Sequence, residues 1–428
     1  MARGARICYP GWNTVKHEYM GKIEESFRRA LELCLDIWSI PAVGPENGGD
    51  GEWDKAERLI QRVAEASSFP APERYDLEDP RVSSLKRPNL VYRWSKDERP
   101  RIWFLLHLDV VPPGAEEEWF SPPFKPSQRQ GRVYGRGTED NGAGLLSVLS
   151  ALFALESFAP EKLARVGLIL VSDEEVSSRY GILHLLKQPG LFGAQDLFLV
   201  PDGGEPLGHE IEVAEKGLLW LRLTIAGRQG HASRPGEARN ALLAGSRFML
   251  ELTSLEEEYS RRDQLFEPDR STFVPTERSS DLNGVNSIPA RDQFHLDCRI
   301  LPGYDLDRVI ESVGDRARRV AAETGTEVTL EVVDRTEASA TPLEHPGLEV
   351  FKGAVEAVKG RPARFVGSGG STVAAYLRHA GYPALVWSTI DETAHGVDEY
   401  LSLTNAREDG AVLLRFLLGD NKDDPPLG

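Results

Sequence analysis

Cysteine is scarce in this chain of 428 residues: Cys8, Cys34 and Cys298 are the only three, and no CxxC pair occurs. That usage argues against a disulfide framework and against a cysteine zinc knot, and it points to a reducing compartment. Long apolar runs are missing as well, and no stretch approaches the roughly 18 residues that a bilayer-spanning helix needs. The opening residues lack the apolar central stretch of a secretory signal. A cytoplasmic protein with no membrane partner is therefore expected. Basic residues are outnumbered, 50 Lys and Arg against 67 Asp and Glu, for a net charge of −17. This balance argues against general binding to nucleic acid, which requires a basic footprint. No GxxxxGK[ST] loop for cradling phosphates is present, and no internal repeat or low-complexity tract stands out.

What the chain does contain is the composition of a globular protein, 40% hydrophobic and 27% charged. Its length exceeds the roughly 250–300 residues at which single cores stop growing, so two domains are expected. The helical pattern begins near Met20 and runs through Lys22–Ile40, ending at Pro41. Apolar strand candidates follow at Ile102–Leu106, Val166–Val171, Leu197–Val200 and Ala384–Trp387, with a buried helix expected over Gly142–Phe158. Strands separated by helices predict an α/β domain with a mixed, mostly parallel sheet flanked by helices.

The middle of the chain reads differently. Strands alternating polar and apolar residues at Leu219–Ile225, Gln293–Ile300 and Glu327–Val333 interleave with helices over Asn240–Tyr259 and Leu306–Thr324. Glu267–Ser280, rich in Pro, Ser and charge, reads as irregular. The expectation is an inserted α+β domain, a four-stranded open-faced sheet under two helices, spanning residues 216–334. Residues 1–215 and 335–428 then form the catalytic domain.

Metal-capable side chains fall at the ends of the candidate strands. His107 and Asp109 follow Ile102–Leu106, and Asp173, Glu174 and Glu175 follow Val166–Val171. Asp202 follows Leu197–Val200, His395 lies eight residues beyond Trp387, and Asp140 stands just before Gly142–Phe158. Each alone reads as an ordinary cap, ion pair or solvated acid. Together they matter, because open α/β sheets bind ligands in the crevice outside the carboxyl ends of their strands. Two imidazoles with three or more carboxylates suit two Zn²⁺ ions, with Co²⁺ or Mn²⁺ as substitutes. Two such ions can share a bridging carboxylate and water, and the Glu174–Glu175 pair offers one ligand and one free base. A single Mg²⁺ serving phosphoryl chemistry fits less well, given two imidazoles and no phosphate loop.

The segments HLDVVPPG, WFSPPF, YGRGTEDNGAG, SDEEVSSRYG, VPDGG, GRQGHASRP, CRILPGYD and ETAHGVDEY resemble, in order, the dizinc aminoacylase/carboxypeptidase family. That family includes succinyl-diaminopimelate desuccinylase, acetylornithine deacetylase, glutamate carboxypeptidase and dipeptidases. The resemblance, from about Ile23 to Phe416, implies His107 and Asp202 as ligands of one zinc, Glu175 and His395 as ligands of the other, and Asp140 as the bridge. It implies Glu174 as the catalytic base, Asp109 as the carboxylate orienting His107, and a cis Asp140–Asn141 peptide. It also implies that His231 reaches into a neighbouring subunit's site as an oxyanion donor, so that the protein works as a homodimer through the inserted domain. Arg299 is the implied clamp for a substrate carboxylate, with Asn286 beside it. Gly369–Thr372, including Gly370 and Ser371, precedes a helix, so its backbone N–H groups could bind a carboxylate. The segment departs from the family's deacetylases, which usually carry an acid where Val373 stands.

The expected activity is hydrolysis of an amide or peptide bond in a small amino-acid-derived substrate with a free carboxylate. The chain as a whole looks desuccinylase- or deacetylase-like. Asp202 leans instead toward a dipeptidase or aminopeptidase, since the family's acylases and carboxypeptidases tend to carry Glu there. A catalytically inactive binding relative is the remaining alternative, and the presence of Glu174 and all five ligand positions counts against it.

Overall fold

The protein is described by a computed structural model covering residues 12–95, 101–280, 284–370 and 372–419. It divides into two compact units. One holds the residues up to Glu212, Thr341–Arg364 and those from Tyr376 on; the other holds Val213–Ala340 and Phe365–Ala375. The second unit thus includes Phe365–Ala375, which the sequence-based boundaries assign to the first.

In the first unit, the apolar runs form the centre of a sheet. The strand order is Glu73–Arg74, Leu90–Arg93, Val166–Val171, Ile102–His107, Leu197–Val200, Ala384–Val386 and the first half of Glu210–Glu215. The four strands from Val166–Val171 to Ala384–Val386 are mutually parallel, with Leu105 opposite Ile169 and Leu199 opposite Leu385. The outer strands are antiparallel. Every residue of those four parallel strands is buried. This is why they read as unbroken apolar runs without alternation.

The helix Gly142–Phe158 is buried from Gly142 to Leu155 and packs between Trp12–Ile37 and Leu403–Leu418. Gly144 lets this helix approach the neighbouring strand end: a Cβ there would stand 2.2 Å from the carbonyl oxygen of Pro201. Two helix starts are capped by side chains, His345 accepting from Gly347 N–H and Ser402 from Asn405 N–H. The first helix begins at Trp12, earlier than the expected start near Met20.

The second unit is a four-stranded antiparallel sheet in the order Thr272–Ser280, Arg291–Ile300, Gly217–Ala226, Glu327–Thr336. Leu219, Leu221, Leu223 and Ile225 all point inward, against Phe294, Leu296, Phe248, Val309, Val313 and Val320. Alternate positions such as Trp220 face out. Two sequence expectations are corrected here. Glu267–Ser280 is not irregular throughout, because Thr272–Ser280 is an edge strand. Its exposed side chains and Pro275 hide any alternation. The helix expected over Asn240–Tyr259 is broken into Ala241–Leu252 and Leu255–Glu258. No helix among the described residues is long and apolar enough to cross a membrane.

Candidate metal centre

The ends of the parallel strands deliver the site of the first unit. His107 is the last residue of its strand, and the following amide, Leu108 N–H, donates to Val171 O on the neighbouring strand at 2.7 Å. That bond aligns the two strand exits. Glu174 and Glu175 lie in the loop after Val171, and Asp202 lies two residues past Val200. Asp140 comes from the turn that opens the helix at Gly142, and the Asp140–Asn141 peptide is cis. His395 sits in the loop after Ala384–Val386 with a left-handed backbone, φ 62.

These side chains converge. His107 Nε2 is 2.9 Å from Asp140 Oδ1 and 3.5 Å from Asp202 Oδ1. His395 Nε2 is 2.9 Å from Asp140 Oδ2 and 3.1 Å from Glu175 Oε2. Two three-donor groups result, His107–Asp140–Asp202 and Asp140–Glu175–His395, each with its donor atoms within 4.8 Å of one another. Asp140 belongs to both and presents a different oxygen to each histidine.

The electrostatics fit a cation site. Burial and the charges of Asp202, Asp109 and Glu175 hold the Glu174 carboxyl well above the usual glutamate range, against the opposing pull of His107. Burial and the neighbouring Asp140 push Asp202 up to about 7, against the pull of His107. Burial, offset by His107, likewise lifts Asp109 to about 7, with Glu52 and Glu175 adding to the rise. Asp140 runs the other way: burial opposes its charge, yet hydrogen bonds from both histidines hold it well below the usual range. Hydrogen bonds to Asp140 and Glu175 raise His395 to about 10. Burial disfavours the charged His107 ring, but Asp202 and Asp140 outweigh it and lift the ring well above the usual histidine value. Crowded carboxylates that resist ionisation, beside imidazoles that favour a positive charge, form a pocket that divalent cations would satisfy. The mixed N/O donor set suits Zn²⁺, Co²⁺ or Mn²⁺.

Asp109 departs from its expected geometry. The acceptor for His107 Nδ1 is the main-chain carbonyl of Asp109, at 2.9 Å, while the nearest carboxylate oxygen is 3.6 Å away. The carboxylate instead accepts Glu174 N–H at 3.1 Å and Glu175 N–H at 3.0 Å, because the strand-end loop turns its amides toward it. Asp173 joins neither donor group. Its Oδ2 accepts from Ser177 Oγ at 2.7 Å and Tyr180 N–H at 3.1 Å, which shapes the loop.

The expected substrate residues lie in the second unit. His231 is exposed, on a short strand paired with Ser287–Ile288, and its Nδ1 accepts Ser233 N–H at 3.1 Å. Asn286 is exposed beside it, with its carbonyl accepting Ala232 N–H at 2.9 Å. The Arg299 fork is engaged: Nε and Nη2 donate to Asp297 at 2.7 and 3.0 Å, and Nη1 to Gly369 O at 2.6 Å. The amides expected to be open to a carboxylate are also engaged, Gly370 N–H with Ser368 Oγ and Thr372 N–H with Glu215, both at 3.0 Å. Ser371 lies outside the described residues.

Several buried charged residues around the centre were passed over by sequence reasoning. Glu139 and Glu399 sit inside quoted motifs, one residue before Asp140 and four residues after His395, the more obvious ligands. Glu52 and Arg87 form a fully buried pair, and the nearby Lys55 ammonium is pushed down by burial against the pull of Asp109, Glu52 and Glu399. Their sequence neighbours, among them Asp140, Asp398, Asp54 and Lys86, are themselves charged, so the linear order gives no sign that these side chains are buried.

Residues 103–419 match peptidase family M20/M25/M40. An uncharacterized metallohydrolase of Methanocaldococcus jannaschii is 33% identical over 413 residues, covering 93% of this chain and 100% of the relative. A succinyl-diaminopimelate desuccinylase of Cereibacter sphaeroides is 30% identical over 393 residues, covering 90% of this chain and 97% of that enzyme. Among solved structures, aminopeptidase PepT from Bacillus cereus superposes with a TM-score of 0.70 at 17% identity, over 91% of this chain and 98% of PepT. That last likeness concerns the fold alone.

Proposed function

This chain belongs to peptidase family M20/M25/M40, and we propose that it is a two-zinc hydrolase that cleaves an amide or peptide bond in a small amino-acid-derived substrate carrying a free carboxylate. The observation that carries this reading is the pair of three-donor groups sharing Asp140. His107 and Asp202 would hold one ion, Glu175 and His395 the other, and Asp140 both. Bound there, the ions would supply Lewis-acid activation of water and of the substrate carbonyl.

The protein's own groups do the rest. Glu174, whose carboxyl is held above the usual glutamate range by burial and neighbouring carboxylates, takes a proton from the attacking water. The oxygen adds to the carbonyl carbon, the C–N bond breaks, and Glu174 passes its proton to the departing amine. Asp109 keeps Glu174 and Glu175 in place through their amides. In a neutral His231 ring, Nδ1 accepts from Ser233 N–H, so the proton resides on Nε2, the tautomer an oxyanion donor needs. Its exposure supports service to the partner's site in a twofold homodimer. Arg299 keeps one further N–H on each of Nη1 and Nη2 beyond its bonds to Asp297 and Gly369, and these are the donors with which it would hold a substrate carboxylate. The buried free thiols of Cys34 and Cys298 support a reducing, cytoplasmic setting.

Similarity to a named desuccinylase supports an N-acyl amino acid as the substrate. The aspartate at Asp202 favours a dipeptide as the second reading. The test is Glu174→Gln, assayed on N-succinyl-diaminopimelate, N-acetylornithine and a dipeptide panel. Wild type should hydrolyse one class, and the variant should keep its zinc by elemental analysis while losing turnover by at least about 10²–10⁴-fold. Near-normal turnover in the variant would reject Glu174 as base, and zinc-free wild type would reject the metal reading. Mixing Glu174→Gln with His231→Ala protein should restore activity if the histidine acts in trans.

A further inference from the structure

We propose that Glu139 and Glu399 are positioning residues that set the distance between the Asp140 and His395 donors by tying their two loops together reciprocally. The proposal rests on the metal-centre reading above.

Each carboxylate belongs to one loop and spends itself on the other, or on the amides flanking the shared ligand. Glu139, next to Asp140, is buried and reaches into the His395 loop. Its Oε1 accepts Asp391 N–H at 2.6 Å, and its Oε2 accepts Ala394 N–H and Thr393 Oγ1, both at 2.8 Å, together with Thr393 N–H. Glu399, four residues past His395, is fully buried and reaches back. It accepts Gly137 N–H at 3.0 Å, Glu139 N–H at 2.9 Å and Asp140 N–H at 3.1 Å, and pairs with Arg136. Arg136 adds a third tie, donating from Nη2 to the carbonyls of His395 at 3.3 Å and Gly396 at 3.2 Å. Neither glutamate belongs to a donor group, so neither is spent on a cation.

The His395 loop needs such a hold. Glu392, His395 and Asp398 all have left-handed backbones, at φ 60, 62 and 56, a conformation that non-glycine residues avoid unless their surroundings impose it. A carboxylate is suited to impose it, because its two oxygens accept several amides at once. With the ties in place, the backbones on either side of the Asp140–His395 contact are fixed by bonds that do not include the ligand atoms themselves. Asp140 serves both donor groups, whereas the loop held by Glu139 serves only one. The two glutamates should therefore differ in their effects.

The experiment is a Co²⁺ titration of the metal-free full-length protein, followed by visible absorption, on wild type, Glu139→Gln, Glu399→Gln and, to assign the steps, His395→Ala. Glutamine keeps the shape but turns an NH₂ toward amide donors. Wild type should show two steps, of which His395→Ala removes one. Glu139→Gln should shift that same step about 10–100-fold to higher Co²⁺ and leave the other nearly in place, while Glu399→Gln shifts both. At saturating metal, kcat should return to within a few-fold of wild type. Folded glutamine variants that titrate like wild type would overturn the proposal. Should they fail to fold, Thr393→Val, which removes one hydroxyl donor from Glu139, decides: a weakened His395 step supports the proposal and an unshifted one overturns it. A wild-type protein that takes up no second ion would sink the metal-centre reading itself, and this proposal with it.

Discussion

Glu174 donates its backbone N–H to Asp109 Oδ1 at 3.1 Å, while that same oxygen stands 3.6 Å from His107 Nδ1. The aspartate therefore works on the Glu174–Glu175 loop with its side chain and on the histidine with its main chain. Asp109→Asn should leave the His107 contact to the carbonyl intact but turn an NH₂ toward the Glu174 or Glu175 amide. We expect kcat/KM to fall about 10–100-fold with ion affinity at the His107 group little changed, measured by steady-state kinetics and metal titration. Loss of that ion with the Glu174–Glu175 loop unaffected would show that the carboxylate acts on His107 after all.

Removal of the ions is expected to reach beyond activity. Ligands that bind only the folded state stabilise it, by about 2.7 kcal/mol when present at roughly 100 times their dissociation constant. Chelation should therefore lower the melting temperature and abolish amide hydrolysis, and Zn²⁺ should restore both. Thermal scans with and without chelator that superimpose would contradict the proposed centre.

Arg87 and Glu52 are both fully buried and meet side by side, with Nε 2.7 Å from Oε2 and a second, shorter contact between Nη2 and Oε1. Arg87→Met leaves the glutamate charged without its partner, a change that should cost about 3–5 kcal/mol in urea unfolding. The double variant Glu52→Leu/Arg87→Met should recover part of that loss. A single variant as stable as wild type would mean that the pair contributes nothing beyond its volume.

His345 caps the helix Pro346–Lys359 by accepting Gly347 N–H at 3.2 Å, and burial lowers its pKa below the ordinary histidine value. Between the lowered folded pKa and the unfolded value of about 6.5, the folded chain carries fewer protons, so stability rises with pH. The contribution is complete above the unfolded value and fades as pH falls through the folded one. His345→Asn caps without titrating. From about pH 7.5 to about pH 5, wild type should lose stability relative to this variant, as read from urea unfolding at each pH. Parallel stability curves would refute the assignment.

Much of the first unit is visible in the linear order. The runs IWFLL, VGLILV, LFLV and ALVW are strands because they are buried on both faces, and a strand so buried has no choice of composition. His107, Glu174, Glu175, Asp202 and His395 are visible because they follow those runs, and the strand exits of a parallel sheet open on one edge. Thr272–Ser280 is hidden for the opposite reason. At a sheet edge most of its residues meet water, so the core imposes no pattern on them.

By itself the order of residues determined where polar groups leave the sheet, because burial selects residues one strand at a time. Only the tertiary structure decided what each carboxylate bonds: Asp109 the Glu174 and Glu175 amides, Asp173 its own turn, Glu139 the amides around Thr393, and Glu399 those around Asp140. A carboxylate accepts from whichever donors the fold brings within reach, and for Glu139 and Glu399 those donors lie some 250 to 260 residues away along the chain.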